Sequence, residues 1–135
     1  MDVASERFAS ESAQAVLGED EYRLRRLLRE ERFDHVSTAK IGFDSDGKIV
    51  GLKVNTKANL GAYMSLFSSA VPTYLYATLL SGQYDIANIY CDVQAVYTNT
   101  VPVDAYRGAG RPGACYVVER IMETAAREMG MDPAE

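Results

Sequence analysis

The residues best suited to chemistry fall in one short stretch, Asp104–Pro112, with the sequence DAYRGAGRP. Gly108 and Gly110 flank Ala109, and Arg107 and Arg111 flank the glycines. Glycines admit backbone geometry that a Cβ would block. Such a loop can aim consecutive N–H groups at one anion, and a helix starting just after it adds partial positive charge. The two guanidiniums can add charge-assisted hydrogen bonds. The stretch therefore suits an oxyanion, a phosphate or a metal-oxo group. It is not a dinucleotide fingerprint, because Arg111-Pro112 follows GAG where that motif would continue toward a third glycine. It is not a P-loop, because no GK[ST] occurs. On spacing alone, a tight strand-to-helix connection whose glycines serve only the turn outweighs ligand binding. A nucleotide-binding module ranks last, since the order of elements lacks a βαβ unit.

Other reactive residues are sparse. His35 is the lone histidine and has no second His or Cys nearby, which argues against zinc. Cys91 and Cys115 fit no CxxC pattern and read as free, buried thiols. Tyr74, Tyr76, Tyr84, Tyr90 and Tyr97 could line a substrate funnel, although core packing with a satisfied hydroxyl is the commoner role. Asp104 could orient Arg107, but an Asp before a turn commonly accepts from local backbone. A net charge of −5 argues against nucleic acid as a main partner. No apolar run is long enough to span a membrane, and the acidic start lacks the apolar core of a secretory signal. A cytoplasmic location is expected.

The elements that would position the loop follow from hydrophobic period. The chain of 135 residues divides at about Phe33. Residues 1–33 are charged and alanine-rich; Gly18 is a plausible break, and Leu24, Leu27 and Leu28 within Glu19–Arg32 predict a solvated helix. A docking helix for a partner is the less favoured alternative. Residues 34–135 have a different character. Ala39, Ile41 and Phe43, then Ile49, Leu52 and Val54, alternate on either side of Asp46-Gly47, which predicts a hairpin with a type I′ turn. Gly51 breaks the alternation and marks a bulge. Pro72 to Leu80 reads as a helix ended by Ser81-Gly82. Asn88–Asn99 reads as a strand with Ile89, Cys91, Val93, Ala95 and Tyr97 on one buried face. Gly113 to Met129 is an amphipathic helix with Val117, Ile121, Ala125 and Met129 in register and Gly130 as its C-cap.

Asn55 to Glu135 resembles, almost continuously, the molybdopterin-binding large subunit of the xanthine dehydrogenase, aldehyde oxidase and aerobic carbon monoxide dehydrogenase family. The matching stretches are NLGAY, VPTYLYATLLSGQYDIANIYCDVQAVYTNTVPVDAYRGAGRPGA and VVERIMETAAREMGMDPAE. The hairpin preceded by DHV fits as well, and the AYRGAGR form is similar to the subgroup called form II. The resemblance implies an α+β fold, a twisted and mostly antiparallel sheet with packed helices, forming part of a molybdopterin-binding domain. It implies an oxidoreductase that hydroxylates carbon with oxygen from water. Its cofactor would be molybdenum–molybdopterin cytosine dinucleotide. Electrons would leave through iron–sulfur clusters and FAD on partner subunits, an FAD-binding medium subunit and an iron–sulfur small subunit, in a dimer of heterotrimers. The cofactor-binding positions would be Tyr106, Arg107, Gly108, Ala109 and Gly110, with Arg107 also catalytic. No side chain is assigned as a metal ligand.

Departures from the family pattern narrow the substrate. Copper-containing carbon monoxide dehydrogenases carry AYRCSFR, whose cysteine holds copper; here that place is Gly108, which disfavours carbon monoxide oxidation. No Arg, Lys or His lies between Ala62 and Tyr84, which disfavours a purine against an aldehyde or an N-heterocycle. The family's general base, a glutamate in a glycine-flanked loop, has no counterpart, and Glu119, Glu123 and Glu128 read as a solvated helix face. The C-terminal DPAE looks truncated. SERFASES resembles the stretch before DHV, yet Glu19–Arg32 interrupts it as an insertion or a frame disturbance. A fragment of such a subunit, inactive alone, is expected. The alternative is a non-catalytic remnant that binds an anion or a partner subunit. Apolar surface left exposed is a further expectation.

Overall fold

The computed structural model describes residues 22–30 and 33–134. The expected break at Gly18 and the SERFASES stretch lie outside the described residues. Four strands form one sheet in the order β1-β2-β3-β4: β1 Tyr22–Glu30, β2 Phe33–Phe43, β3 Ile49–Gly61 and β4 Ile89–Tyr97. β1 pairs antiparallel with β2, β2 antiparallel with β3, and β3 parallel with β4. One helix, α1 Arg111–Met129, packs on a single face of this sheet. The α+β expectation with a mostly antiparallel sheet therefore holds.

The first correction concerns residues 22–30. Leucine spacing predicts a helix there, and the backbone is a strand in register with β2 from Tyr22↔Ile41 to Glu30↔Phe33. β2 would otherwise expose an edge of unpaired N–H and C=O groups, and pairing with that edge overrides a weak local propensity.

The hairpin is where alternation places it, but its turn differs. Asp44 Oδ1 accepts from the N–H of Asp46 at 3.0 Å and of Lys48 at 2.8 Å. Gly47 N–H donates to the Asp44 carbonyl at 3.1 Å, and Gly47 takes φ of +81°. No non-glycine residue among those described has positive φ, so Asp46 cannot complete a type I′ turn. A type I turn followed by a left-handed glycine forms instead, selected by the Asp44 carboxylate. The predicted irregularity near Gly51 appears one residue earlier. Gly42 pairs with Gly51 and Phe43 with Ile49, which leaves Val50 without an opposite residue.

The expected helix from Pro72 to Leu80 is shorter and wider. A π-helical turn spans Val71–Leu75, with Leu75 N–H donating to the Ala70 carbonyl at 2.9 Å and Pro72 in its first turn. Hydroxyls compete with its backbone: Thr73 Oγ1 donates to the Ser69 carbonyl and Thr78 Oγ1 to that of Tyr74. Such side-chain bonds tax a short helix, and turns follow through residue 83.

Ala114, Val117, Val118, Ile121 and Ala125 of α1 meet Ala39, Ile41, Leu52 and Val54 of the sheet, and Tyr76 and Leu80 close the same core. Gly130 ends α1 in the left-handed region, and Met131 N–H donates to the Ala126 carbonyl at 2.9 Å, a Schellman closure. On β4 only Cys91 and Val93 pack against this core. Ala95 and Tyr97 of the predicted face are exposed and lie outside this core.

Burial, reinforced by the nearby Asp92 charge, pushes the Cys91 thiol from its ordinary 9.0 to about 11. Burial likewise raises the Tyr76 phenol above 10.0, against the opposing hydrogen bonds of Ser37 and Thr56. Each group keeps its proton in the folded chain at a pH where the unfolded chain has lost it. Their contribution is complete below the unfolded values and fades as pH rises through the folded ones. Denaturant midpoints should therefore hold steady up to the ordinary Cys91 value of 9.0 and fall on the way to about 11. Cys91→Ser should flatten the first part of that decline.

Candidate active-site loop

The parallel strands β3 and β4 end side by side, and the chain leaves both at the same end of the sheet. There Asn59 Oδ1 accepts from Gly61 N–H at 2.7 Å and from Thr98 Oγ1 at 2.6 Å, while Asn59 Nδ2 donates to Thr100 Oγ1 at 3.0 Å. Ala62 N–H donates to the Thr100 carbonyl and Val103 N–H to that of Leu60. At Gly61, with φ of +80°, a Cβ would lie 2.5 Å from Pro102 Cα and from the Val101 carbonyl oxygen. The chain after β4 is thus laid across the end of β3 before it reaches DAYRGAGRP.

The loop closes on itself and on the π-turn. Ala109 N–H donates to the Tyr106 carbonyl at 2.9 Å and Arg111 N–H to that of Gly108 at 2.8 Å. Gly110 is the N-cap of α1 with φ of +80°, and it lies against the π-turn. A Cβ there would sit 2.7 Å from the Leu75 carbonyl carbon and from Tyr76 N. Only glycine combines that dihedral with that approach. Gly108 also has positive φ, but a Cβ on it would face Pro112 at 3.8 Å, an ordinary contact.

Of the predicted site residues, Tyr106, Arg107 and Gly108 are exposed, Ala109 is half-buried and Gly110 is buried. The loop therefore presents Tyr106 to Gly108 outward and anchors through Gly110. Among the described residues, the N–H groups of Gly108 and Gly110 have no acceptor, and the Arg107 guanidinium has no ion pair. That donor set fits an anionic oxygen. Asp104 accepts from Ala105 N–H at 2.7 Å, the local backbone role, and does not orient Arg107. No group of three or more His, Cys, Asp or Glu suited to a metal ion occurs among the described residues.

The tyrosines separate by environment. Tyr76 is fully buried and Tyr74 is 67% exposed, although the two are neighbours in sequence. Tyr84 donates to Glu119 at 2.8 Å, and Tyr90 lies beneath Lys53 Nζ at 5.2 Å from its ring centre. Glu123 accepts from Arg120 and Arg127. These glutamates belong to the surface of α1, as read from the sequence. Both cysteines are free, but Cys115 is exposed, whereas burial was expected, and Cys91 is half-buried.

Residues 13–135 match the molybdopterin cofactor-binding domain. The chain belongs to that family, within the molybdenum hydroxylases. The match begins inside the charged N-terminal segment. The carbon monoxide dehydrogenase large chain of Hydrogenophaga pseudoflava is 38% identical over 78% of this chain and 15% of its own length. The nicotinate dehydrogenase large molybdopterin subunit of Eubacterium barkeri is 34% identical over 71% of this chain and 22% of its own. Among solved structures, the aldehyde oxidoreductase of Desulfovibrio desulfuricans superposes with a TM-score of 0.69 at 30% identity, covering 76% of this chain and 11% of that one. Quinoline 2-oxidoreductase of Pseudomonas putida 86 gives 0.68 at 28% identity, covering 74% and 13%. The chain thus spans between a tenth and a quarter of the length of these relatives.

Two glycine substitutions should separate dihedral cost from crowding. Gly108→Ala should lower stability by about 1 kcal/mol, the cost of a left-handed alanine. Gly110→Ala adds the clash with the π-turn backbone and should cost about 3 kcal/mol. Urea unfolding of the two variants measures the difference.

Proposed function

We propose that this chain is part of the large subunit of a molybdenum hydroxylase, a cytoplasmic oxidoreductase that hydroxylates an aldehyde or N-heterocycle carbon with oxygen from water. The observation that carries the reading is the outward Tyr106–Gly108 backbone, anchored by Gly110, in a chain of the molybdopterin cofactor-binding family. When bound, the cofactor, molybdenum–molybdopterin cytosine dinucleotide, would supply the redox chemistry. Tyr106, Arg107, Gly108, Ala109 and Gly110 would hold it.

The chain's own contribution is electrostatic and positional. Gly108 N–H and the Arg107 guanidinium are free to donate to an anionic oxygen placed over the loop. Preorganised donors of this kind are worth about 3 kcal/mol each in a reaction barrier. Arg107 is accordingly the catalytic residue on this chain. The general base would be the glutamate that the resemblance puts in a glycine-flanked loop, a motif this sequence lacks; Glu119 and Glu123 are engaged on the surface of α1. Electrons would pass to an iron–sulfur small subunit and an FAD-binding medium subunit in a dimer of heterotrimers. The 135-residue piece alone would not turn over.

The surroundings favour an uncharged substrate. Residues 62–84 contain no charged side chain, and Tyr63, Leu66, Phe67, Tyr74, Val101 and Tyr106 stand exposed. Similar proteins include some named for quinoline and for aldehydes, both uncharged. Gly108 offers no thiolate for copper, so carbon monoxide is disfavoured as substrate.

The test is isolation of the native assembly with an antibody to this chain, followed by metal and pterin analysis. One molybdenum and one pterin per large subunit are expected, with oxidation of quinoline or benzaldehyde and none of carbon monoxide. Arg107→Ala in that assembly should lower turnover by roughly 100-fold or more. An assembly without molybdenum and pterin would overturn the reading in favour of a non-catalytic, anion- or partner-binding role.

A further inference from the structure

The buried hydroxyls beneath the loop form a connected group. Tyr76 OH lies 3.1 Å from Thr56 Oγ1 and 3.4 Å from Ser37 Oγ, and those two oxygens are 2.8 Å apart. Ser37 and Thr56 are opposite residues on β2 and β3. The His35 ring meets the Tyr76 ring edge-on, with centres 5.2 Å apart. All four residues are buried. Tyr76 also meets the loop at Gly110 and the first turn of α1 at Gly113. Its backbone N is one of the atoms that leave no room for a Cβ on Gly110, and its ring carbons lie 3.5 and 3.7 Å from where a Cβ of Gly113 would be.

We propose that Tyr76 is a positioning residue for the Tyr106–Gly110 loop. Its hydroxyl, fixed by Ser37 and Thr56, registers the π-turn on the sheet, and the π-turn in turn seats Gly110. A core tyrosine needs only one hydrogen-bond partner. This one is held by hydroxyls from two strands at once, so its ring has one place to sit relative to the hairpin. A short π-turn is weak by itself, and the tether gives it a fixed height over β2 and β3. The loop inherits that height through Gly110, and so do the outward donors of Arg107 and Gly108. The functional meaning of this device rests on the reading of the loop as a cofactor wall; its physical content does not.

Hydrogen exchange on the 135-residue chain tests it. Two loop amides are informative, Ala109 N–H on Tyr106 and Arg111 N–H on Gly108, with Gly47 N–H in the hairpin turn as internal reference. Tyr76→Phe keeps the ring and removes the tether, and Ser37 and Thr56 still satisfy each other. Exchange at Ala109 and Arg111 should accelerate about tenfold relative to Gly47. Ile121→Val, a core substitution away from the tether, should change all three amides alike. Equal acceleration of loop and reference by Tyr76→Phe, or none at the loop, would overturn the proposal. Should Tyr76→Phe not fold, Ser37→Ala and Thr56→Val take its place. Each should accelerate the loop selectively, and no selective effect in either would overturn it equally. Selective loosening in a chain whose native assembly holds no molybdenum would leave the positioning role standing and remove the cofactor reading.

Discussion

Where Gly110 crosses the π-turn, two backbones approach until a Cβ would lie 2.7 Å from the nearest atoms. That crossing sets the height of the candidate loop, and it is only as well placed as the π-turn beneath it. The π-turn depends on Tyr76, and Tyr76 depends on hydroxyls at opposite positions of the hairpin, Ser37 and Thr56. A slip of one residue in hairpin register would send those hydroxyls to the other face of the sheet. The Asp44 carboxylate, by capping the turn, guards against such a slip. The hairpin and the base of the loop at Gly110 are thus joined through Ser37, Thr56 and Tyr76. The second crossing, Gly61 against Pro102, guides the other end of the same loop.

Features governed by period or by local chemistry were legible in the residues. The hairpin, the span of α1 and its Gly130 cap follow from patterns within a few residues of each other. The loop itself was legible as a motif, and the family through it. What stayed hidden depends on approach between distant segments. Nothing near Gly61 or Gly110 in sequence says which backbone will press against it. Tyr74 and Tyr76 are two residues apart, and a π-turn advances side chains by a smaller angle per residue than an α-helix, so α-periodicity cannot say which is buried. Residues 22–30 misled for a related reason: their leucines fit a helix, and the waiting edge of β2 made them a strand. The type of the hairpin turn was missed because the deciding group, Asp44, lies outside the Asp-Gly pair.

The charge distribution gives the loop its character. The chain as a whole is acidic, with net charge −5, yet among the described residues no acid pairs with Arg107. Asp104, the nearest in sequence, spends its carboxylate on its own backbone. Glu119 and Glu123 are engaged along α1 by Tyr84, Arg120 and Arg127. The 23 residues from Ala62 to Tyr84 carry no charge at all. Among the described residues Arg107 therefore has no ion pair to neutralise its charge, and the neighbouring Gly108 N–H has no acceptor. In water a lone surface arginine of this kind does little, because the solvent screens it. Tyr106 precedes Arg107 in the same loop, Val101 lies on the approach to that loop, and both are exposed; a large group settling over them would expel that water. The same charge and the same N–H would then act at low dielectric, where their pull on an anionic oxygen is several times stronger. On the proposed reading, the exposed apolar side chains would exclude water once covered, and the unpaired donors would gain strength from its exclusion.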